Sequence, residues 1–458
     1  MLRITNPADN SLVAELPEDN SQSVAAKYAR ARAAQPQWAQ TALAQRCAAI
    51  GRFRAMLVAR KEALARLLTS EMGKPIRQAR NEIQGTLARL DFFLDHTGPA
   101  LADEVVLEQA GQKLIERISW EPLGVVASIS AWNYPYFVGC NVFIPALLTG
   151  NAVLYKPSEF ATLTGLEIGA MLHQCGVGAD VFQVLAGAGQ VGSALLEQPI
   201  DAVFFTGSYA TGLRIAQAVS GRMIKLQLEL GGKDPIYVCD DADVARAAES
   251  IADGAFYNSG QSCCSVERIY VHARIYQPFI EAFMGAVAAM KVGAPLDENT
   301  YIGPLTRSSQ LGYLEQQVAD AKARGARLLC GGARIAGPGN FFAPTVFAEA
   351  DHTMALMREE TFGPLVGIQR VSDDAQALEL MNDTEYGLTA GVYSPDRARA
   401  ERILAQVKSG SVYWNCCDRV SPRLPWSGVG HSGVGLTLST HGIRAFTRPK
   451  AWHLRGNP

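Results

Sequence analysis

The chain has 458 residues, 48% hydrophobic, 19% charged and 8% aromatic, a balance that excludes disordered, collagen-like and disulfide-stapled miniproteins and allows two or three domains of ~150 residues. With 42 Lys+Arg against 44 Asp+Glu the formal net charge is −2, so no global basic field attracts nucleic acid or an anionic membrane surface. Nine cysteines form an odd set without CxxC or metal-ligand spacing, which predicts reduced thiols, a soluble cytoplasmic protein and no metal centre.

The first twenty residues have neither a charged start followed by an apolar core nor an Arg/Ser-rich amphipathic pattern, so no targeting signal is expected. Residues 21 to 98 read as successive amphipathic helices with a break at Gly73-Lys74-Pro75. Leu114 to Trp120 alternates like a half-buried strand. Pro122 to Tyr155 carries no charge and exceeds the ~20 apolar residues that cross a bilayer. Gly124, Asn133, Pro135, Asn141, Pro145, Gly150 and Asn151 interrupt it, however, and lipid would leave the freed backbone groups unsatisfied. Short buried strands around a helix are expected there, with no membrane partner.

From Gly124 a β-α-β alternation sets in: GVVASIS, a helix through FVGCNVFIPALLTG, AVLYK, a helix after Ser158, FQVLAG, a helix near SALLEQ, DAVFFTGS, a helix near RIAQAV, then IKLQLEL. Such alternation predicts a parallel sheet covered on both faces. A second α/β run extends from Pro235 to about residue 412, with Gly/Pro-rich loops at 331–340 and 421–435 and an extended tail. The fold class is therefore α/β with two domains.

Three segments of the first run suit phosphate or ribose binding. Lys156-Pro157-Ser158-Glu159 follows strand AVLY, and a glutamate there would repel a ribose 2′-phosphate and favour NAD. Gly187-Ala-Gly189-Gln-Val-Gly192 matches GxGxxG, but the acid expected at the end of the next strand is missing, so a plain αβ loop is an equal reading. Phe205-Thr206-Gly207-Ser208 ends a strand and opens a helix, offering free N–H groups to a pyrophosphate. Further on, Cys263 follows Gly260-Gln261-Ser262 where a helix meets strand RIYVH, a setting for a reactive thiolate. Glu229 in LELGGK stands just past an apolar strand, where burial would raise its pKa into the range of a base.

AWNYP at 131–135, KPSE at 156–159, FTGS at 205–208, LELGGK at 228–233, FYNSGQSC at 256–263, EETFGP at 359–364 and the glycine-rich 425–435 run in one order. In these motifs the chain resembles the aldehyde dehydrogenase superfamily over essentially its whole length. The resemblance implies a Rossmann-like cofactor domain (1–104 and 123–230), a catalytic α/β domain (231–435), and an oligomerisation arm and tail (105–122 and 436–458) that build a homodimer or homotetramer. It implies Cys263 as nucleophile, Glu229 as general base and Asn133 as oxyanion donor. Trp132, Lys156, Ser158, Glu159, Gly207, Ser208, Glu360 and Phe362 match the family's NAD(P) contacts. The family binds its cofactor without GxGxxG, which favours the loop reading of Gly187 to Gly192.

Tyr134, Phe137, Val138, Tyr257 and Trp426 fall where the family places substrate contacts, and Arg419 and Arg423 lie in a segment at the tunnel mouth. An inward arginine there would pair with a carboxylate, as on succinic semialdehyde. Leu436-Thr437 stands where many relatives have Arg-Glu, which leaves the proton's exit unassigned. The activity this implies is oxidation of an aldehyde to the acid with NAD, or NADP, through a cysteine thiohemiacetal and thioester. The alternatives on the same fold are a CoA-acylating enzyme and a cysteine esterase or thioesterase.

Overall fold

A computed structural model describes residues 1–456; the last two residues of the expected tail, Asn457 and Pro458, lie outside the described residues. Four helices open the chain after a short hairpin: Ser21–Gln40, Leu43–Ala59, Lys61–Met72 and Ile76–Leu101. The break between the last two falls at Gly73-Lys74-Pro75, as the sequence predicts. Gly73 closes the third helix at φ +80°, a left-handed cap that glycine adopts without strain. A Cβ there would also press to 2.7 Å against Pro304.

One sheet has six strands in the order Gly433–Val434, Lys225–Glu229, Ala202–Thr206, Val125–Ile129, Ala152–Lys156, Phe182–Val184. All pairs are parallel except the two-residue edge. Strands Val125–Ile129, Ala152–Lys156 and Ala202–Thr206 are buried at every position, because helices cover both faces and leave no solvated side to alternate toward. The charge-free stretch is therefore the interior of a β-α-β unit, with helix Pro135–Leu148 between its strands. Among the described residues no helix is long and apolar enough to cross a membrane.

The second sheet has seven strands, Arg327–Cys330, Thr345–Ala348, Leu365–Val371, Val266–His272, Asp234–Val238, Thr389–Tyr393 and Ser411–Trp414, in that order. Only the first pair is antiparallel. A separate antiparallel sheet joins Thr447–Arg455, Leu114–Pro122 and Glu104–Gln109. Gly433–Val434, drawn from the segment 231–435, extends the first sheet rather than the second, and its pairing with Leu228 and Glu229 links the sheets.

Topology decides where a ligand fits. From Val125–Ile129 the first sheet grows one way through Ala152–Lys156 and the other way through Ala202–Thr206. The crevice beyond the carboxyl ends of these three strands is the switch point at which open α/β sheets bind ligands. Ser130 to Asn133, Lys156 to Glu159 and Gly207-Ser208 all emerge there.

Helix Pro135–Leu148 is seated on the sheet by Phe143, which is fully buried between Tyr155 and Phe182 with both ring centroids at 5.3 Å. Phe143→Ala is expected to cost about 3–5 kcal/mol, read as a lower urea midpoint with little change in far-ultraviolet circular dichroism.

Candidate active site

A cleft of about 1350 Å³ opens at the switch point. Trp132, Asn133, Lys156, Ser158, Glu159, Gly207, Ser208, Cys263, Glu360 and Phe362 all line it, so every cofactor residue expected from the sequence meets the expected nucleophile in one space. Ser208 caps helix Tyr209–Val219, its Oγ accepting from the Thr211 N–H at 3.4 Å. That helix start turns its remaining N–H groups and the positive end of its dipole toward the cleft. Lys156 is buried, donates to the Pro157 carbonyl at 2.9 Å, and has its pKa lowered by that burial. Trp132 meets Phe362 edge-to-face at 5.5 Å.

Gly189 and Gly192 line the same cleft at the start of helix Gly189–Leu196. Gly192 lies beside Lys156: a Cβ there would stand 3.6 Å from the lysine Cδ, an ordinary contact.

The expected nucleophile, Cys263, sits on a strained loop. Asn258, Ser259 and Gly260 run at φ +53°, +58° and +70°, a left-handed series that non-glycine residues hold only when their surroundings impose it. Crossed amide bonds impose it here. Asn133 Nδ2 donates to the Gln261 carbonyl at 3.1 Å, Asn258 Nδ2 to the same carbonyl at 3.0 Å, and Gln261 Nε2 to the Asn258 carbonyl at 3.1 Å. Gly260 admits the Gly363 carbonyl, to which a Cβ would approach within 2.2 Å. Cys263 ends this loop half-buried at the cleft wall.

Two buried ion pairs fix the surrounding segments. Lys74 pairs with Glu82, both fully buried. Lys74 also donates to the Asn133 carbonyl at 2.7 Å, and Glu82 accepts from the Tyr136 N–H at 2.9 Å. Lys233 pairs with Glu267 at 2.6 Å, and Glu267 accepts from the N–H groups of Thr361 (2.8 Å) and Phe362 (3.0 Å). Neither pair was foreseen. Gly232 brings the Glu229 segment onto the nucleophile loop, since a Cβ at Gly232 would lie 2.7 Å from the Cys263 carbonyl oxygen.

Glu229 is buried, and burial pushes its pKa up to about 7, against the lowering effects of Thr437 and Arg89. The Thr437 hydroxyl donates directly to the Glu229 carboxylate, so the residue replacing the relatives' glutamate touches the expected base. Glu360, beside Gly231 and Gly232, is raised to about 8 by burial and by the neighbouring Glu267 charge.

The expected substrate residues lie off this cleft. Tyr134 stacks on Phe137 at 5.8 Å, Val138 is buried, and Tyr257 accepts from Asn81 at 3.2 Å. Trp426 is buried and pairs through its backbone with Thr437 at 2.8 Å, next to Glu229. Arg419 and Arg423 do not turn inward: both are exposed, and Arg419 bonds the Asp418 carbonyl at 3.1 Å. Their loop instead buries Asp418, which accepts from the Cys264 thiol at 2.9 Å and is raised to about 7 by burial.

The aldehyde dehydrogenase family model matches residues 1–452. A betaine aldehyde dehydrogenase of Cereibacter sphaeroides is 34% identical over 453 residues, covering 99% of this chain and 93% of the relative. An NAD-dependent aldehyde dehydrogenase from Sinorhizobium meliloti superposes with TM-score 0.97 at 31% identity, over 100% of this chain and 92% of the other. A betaine aldehyde dehydrogenase from Staphylococcus aureus, solved with NAD+, gives TM-score 0.95 at 29% identity over 100% and 94%.

Breaking the Lys233–Glu267 pair tests the scaffold. Glu267→Leu leaves a buried ammonium and two N–H groups without their acceptor, and is expected to cost about 3–5 kcal/mol in urea unfolding. Adding Lys233→Met should recover part of that loss.

Proposed function

The chain belongs to the aldehyde dehydrogenase family, and from that premise we propose that it oxidises an aldehyde to the carboxylic acid with NAD, or secondarily NADP, as electron acceptor. The observation that carries this reading is the convergence of Cys263, Asn133 and the strand-end residues Lys156, Glu159 and Ser208 on one cleft. The cleft suits a dinucleotide. It is large, it has a helix start for a pyrophosphate, buried Lys156 and half-buried Glu159 for a ribose, and aromatic Trp132 and Phe362 near the thiol. The carboxylate of Glu159 opposes a 2′-phosphate, which favours NAD.

In this reading the Cys263 thiolate attacks the aldehyde carbonyl. Asn133 Nδ2 and the Cys263 backbone N–H stabilise the alkoxide; one such donor is worth about 10²–10³ in rate. Bound NAD(P) supplies the hydride acceptor that no side chain provides. Glu229 then deprotonates the water that hydrolyses the thioester left on Cys263, with its proton held beside the Thr437 hydroxyl. A buried base with a pKa near neutrality supports hydrolysis over transfer to CoA, and a complete cofactor cleft supports redox chemistry over a simple esterase.

The same reading assigns cofactor binding to residues 1–104 and 123–230, catalysis to 231–435, and assembly to the arm and tail at 105–122 and 436–458. Val105 and Val106 on the arm are 58% and 57% exposed, an apolar edge that suits a second copy in a homodimer or homotetramer. Nine free cysteines support a reducing, cytoplasmic setting.

Cys263→Ala should abolish NADH formation while the protein stays folded. Glu229→Gln should give one burst of NADH per site followed by slow turnover; loss of the burst together with turnover would contradict the division of roles. Because the base works deprotonated and its pKa is raised to about 7, deacylation should rise with pH through about 7 and level off above it. Thr437→Val removes a hydrogen bond that lowers this pKa, so the midpoint should move to higher pH, whereas Thr437→Ser should restore it.

A further inference from the structure

The cleft carries carboxylates as well as cations. Glu159, Glu197 and Glu360 all line it, so an anionic ligand needs cations that are free to answer it. Lys156 is committed to the Pro157 carbonyl, and Arg222 to the carbonyls of Leu196, Gln198 and Ile200. Arg214 stands in the second turn of helix Tyr209–Val219, past the start whose N–H groups face the cleft. Among the described residues that line the cleft from the side of the second sheet, with Gln310, Tyr313, Glu360 and Phe362, Arg307 is the one cation. Its guanidinium lies over the Phe160 ring, 5.9 Å from the centroid, and among the described residues it has no hydrogen-bond acceptor and no ion-pair partner.

Arg307 is fixed from behind. It directly precedes helix Ser308–Ala323, whose Leu311, Leu314 and Val318 pack into the core on the second sheet. Gln310 Nε2 of that helix donates to the Thr361 carbonyl at 2.7 Å. The Thr361 hydroxyl donates to Gln317 Oε1 at 3.0 Å and accepts from Lys233 Nζ at 2.9 Å. The Lys233–Glu267 pair thus sets the helix behind Arg307 in one register with Phe362.

A row of rings locates Arg307 along the cleft. Phe362 meets Trp132 at 5.5 Å, Trp132 meets Phe160 at 6.4 Å, and the guanidinium lies beyond, over Phe160. In the aldehyde-oxidation reading above, Cys263, Trp132 and Phe362 mark the nicotinamide end, and Glu159, beside Phe160 in the chain, marks the adenosine ribose. A dinucleotide laid between those ends carries its phosphates past Phe160. Resting on that reading, we propose that Arg307 pairs with the pyrophosphate of the bound cofactor and so ties the second-sheet wall to the first across the cleft. The planar fork of a guanidinium matches phosphate oxygens, and an aromatic face holds the cation without using its N–H donors. The Glu159 carboxylate opposes a 2′-phosphate, which leaves the pyrophosphate as the anion for Arg307.

The test measures dissociation constants of NADH, NADPH and ADP-ribose by titration calorimetry, at low and high salt, for the unaltered protein, Arg307→Gln and Arg307→Lys. ADP-ribose keeps the pyrophosphate but lacks the nicotinamide. Arg307→Gln should weaken all three ligands by a similar factor of about tenfold. Its affinity should depend less steeply on salt than that of the unaltered protein, and its urea midpoint should be unchanged because Arg307 is exposed. Arg307→Lys should recover part of the affinity. Unchanged NADH affinity in Arg307→Gln overturns the proposal, as does a loss that comes with an unaltered salt dependence and a lowered urea midpoint. A loss confined to NADPH assigns the guanidinium to a 2′-phosphate, and a loss that spares ADP-ribose assigns it to the nicotinamide end; each overturns the proposal. Failure of the unaltered protein to bind NADH or NADPH would instead remove the underlying cofactor reading.

Discussion

One buried ion pair, Lys233 with Glu267, holds three segments in the register that the chemistry requires. Lys233 lies four residues after Glu229, Glu267 four residues after Cys263, and the Glu267 carboxylate takes the N–H groups that begin the turn carrying Phe362. Desolvating such a pair is expensive, and its net contribution to stability is small or unfavourable compared with apolar packing. Its value lies in direction: a carboxylate with two oxygens and several donors admits one arrangement of the turns that carry the proposed base, the proposed nucleophile and Phe362. Lys74 and Glu82 do the same for Asn133, so the thiol and its proposed oxyanion donor are held before any substrate arrives.

Within this scaffold, burial divides the labour between charged groups. Glu229 is held near neutrality, where it can both take and return a proton, and Thr437 moderates the shift with a single hydroxyl. Glu360 and Asp418 are raised in the same way, so the carboxylates around the site carry less charge than their number suggests. The overall charge of −2 therefore says little about the field a substrate meets.

Much of this was legible in the sequence because it rests on local patterns. The helix break at Gly73 to Pro75, the buried strands around the charge-free segment and the strand-end turns follow from periodicity and glycine placement. What escaped was the pairing of residues across elements. Lys74 reads as a turn residue, and Glu267 falls just outside the expected strand RIYVH, although the strand begins at Val266 and is buried throughout. Arg89 was the more findable case. It stands seven residues after Glu82, two turns along the same buried face as Glu82 and Phe93, and a charged residue on a buried helix face signals a buried partner. Arg419 and Arg423 misled for the opposite reason: a loop rich in proline and polar residues leaves its arginines to water.

In the proposed reaction Cys263 carries the acyl group and Glu229 releases it. Intact and peptide mass spectrometry of Glu229→Gln, quenched after mixing with NAD and an oxidisable aldehyde, tests it most directly. One acyl adduct per chain is expected, on Cys263, formed together with one equivalent of NADH and absent when NAD is withheld. NADH formation with Cys263 unmodified, or with the acyl group on Cys264, would contradict it.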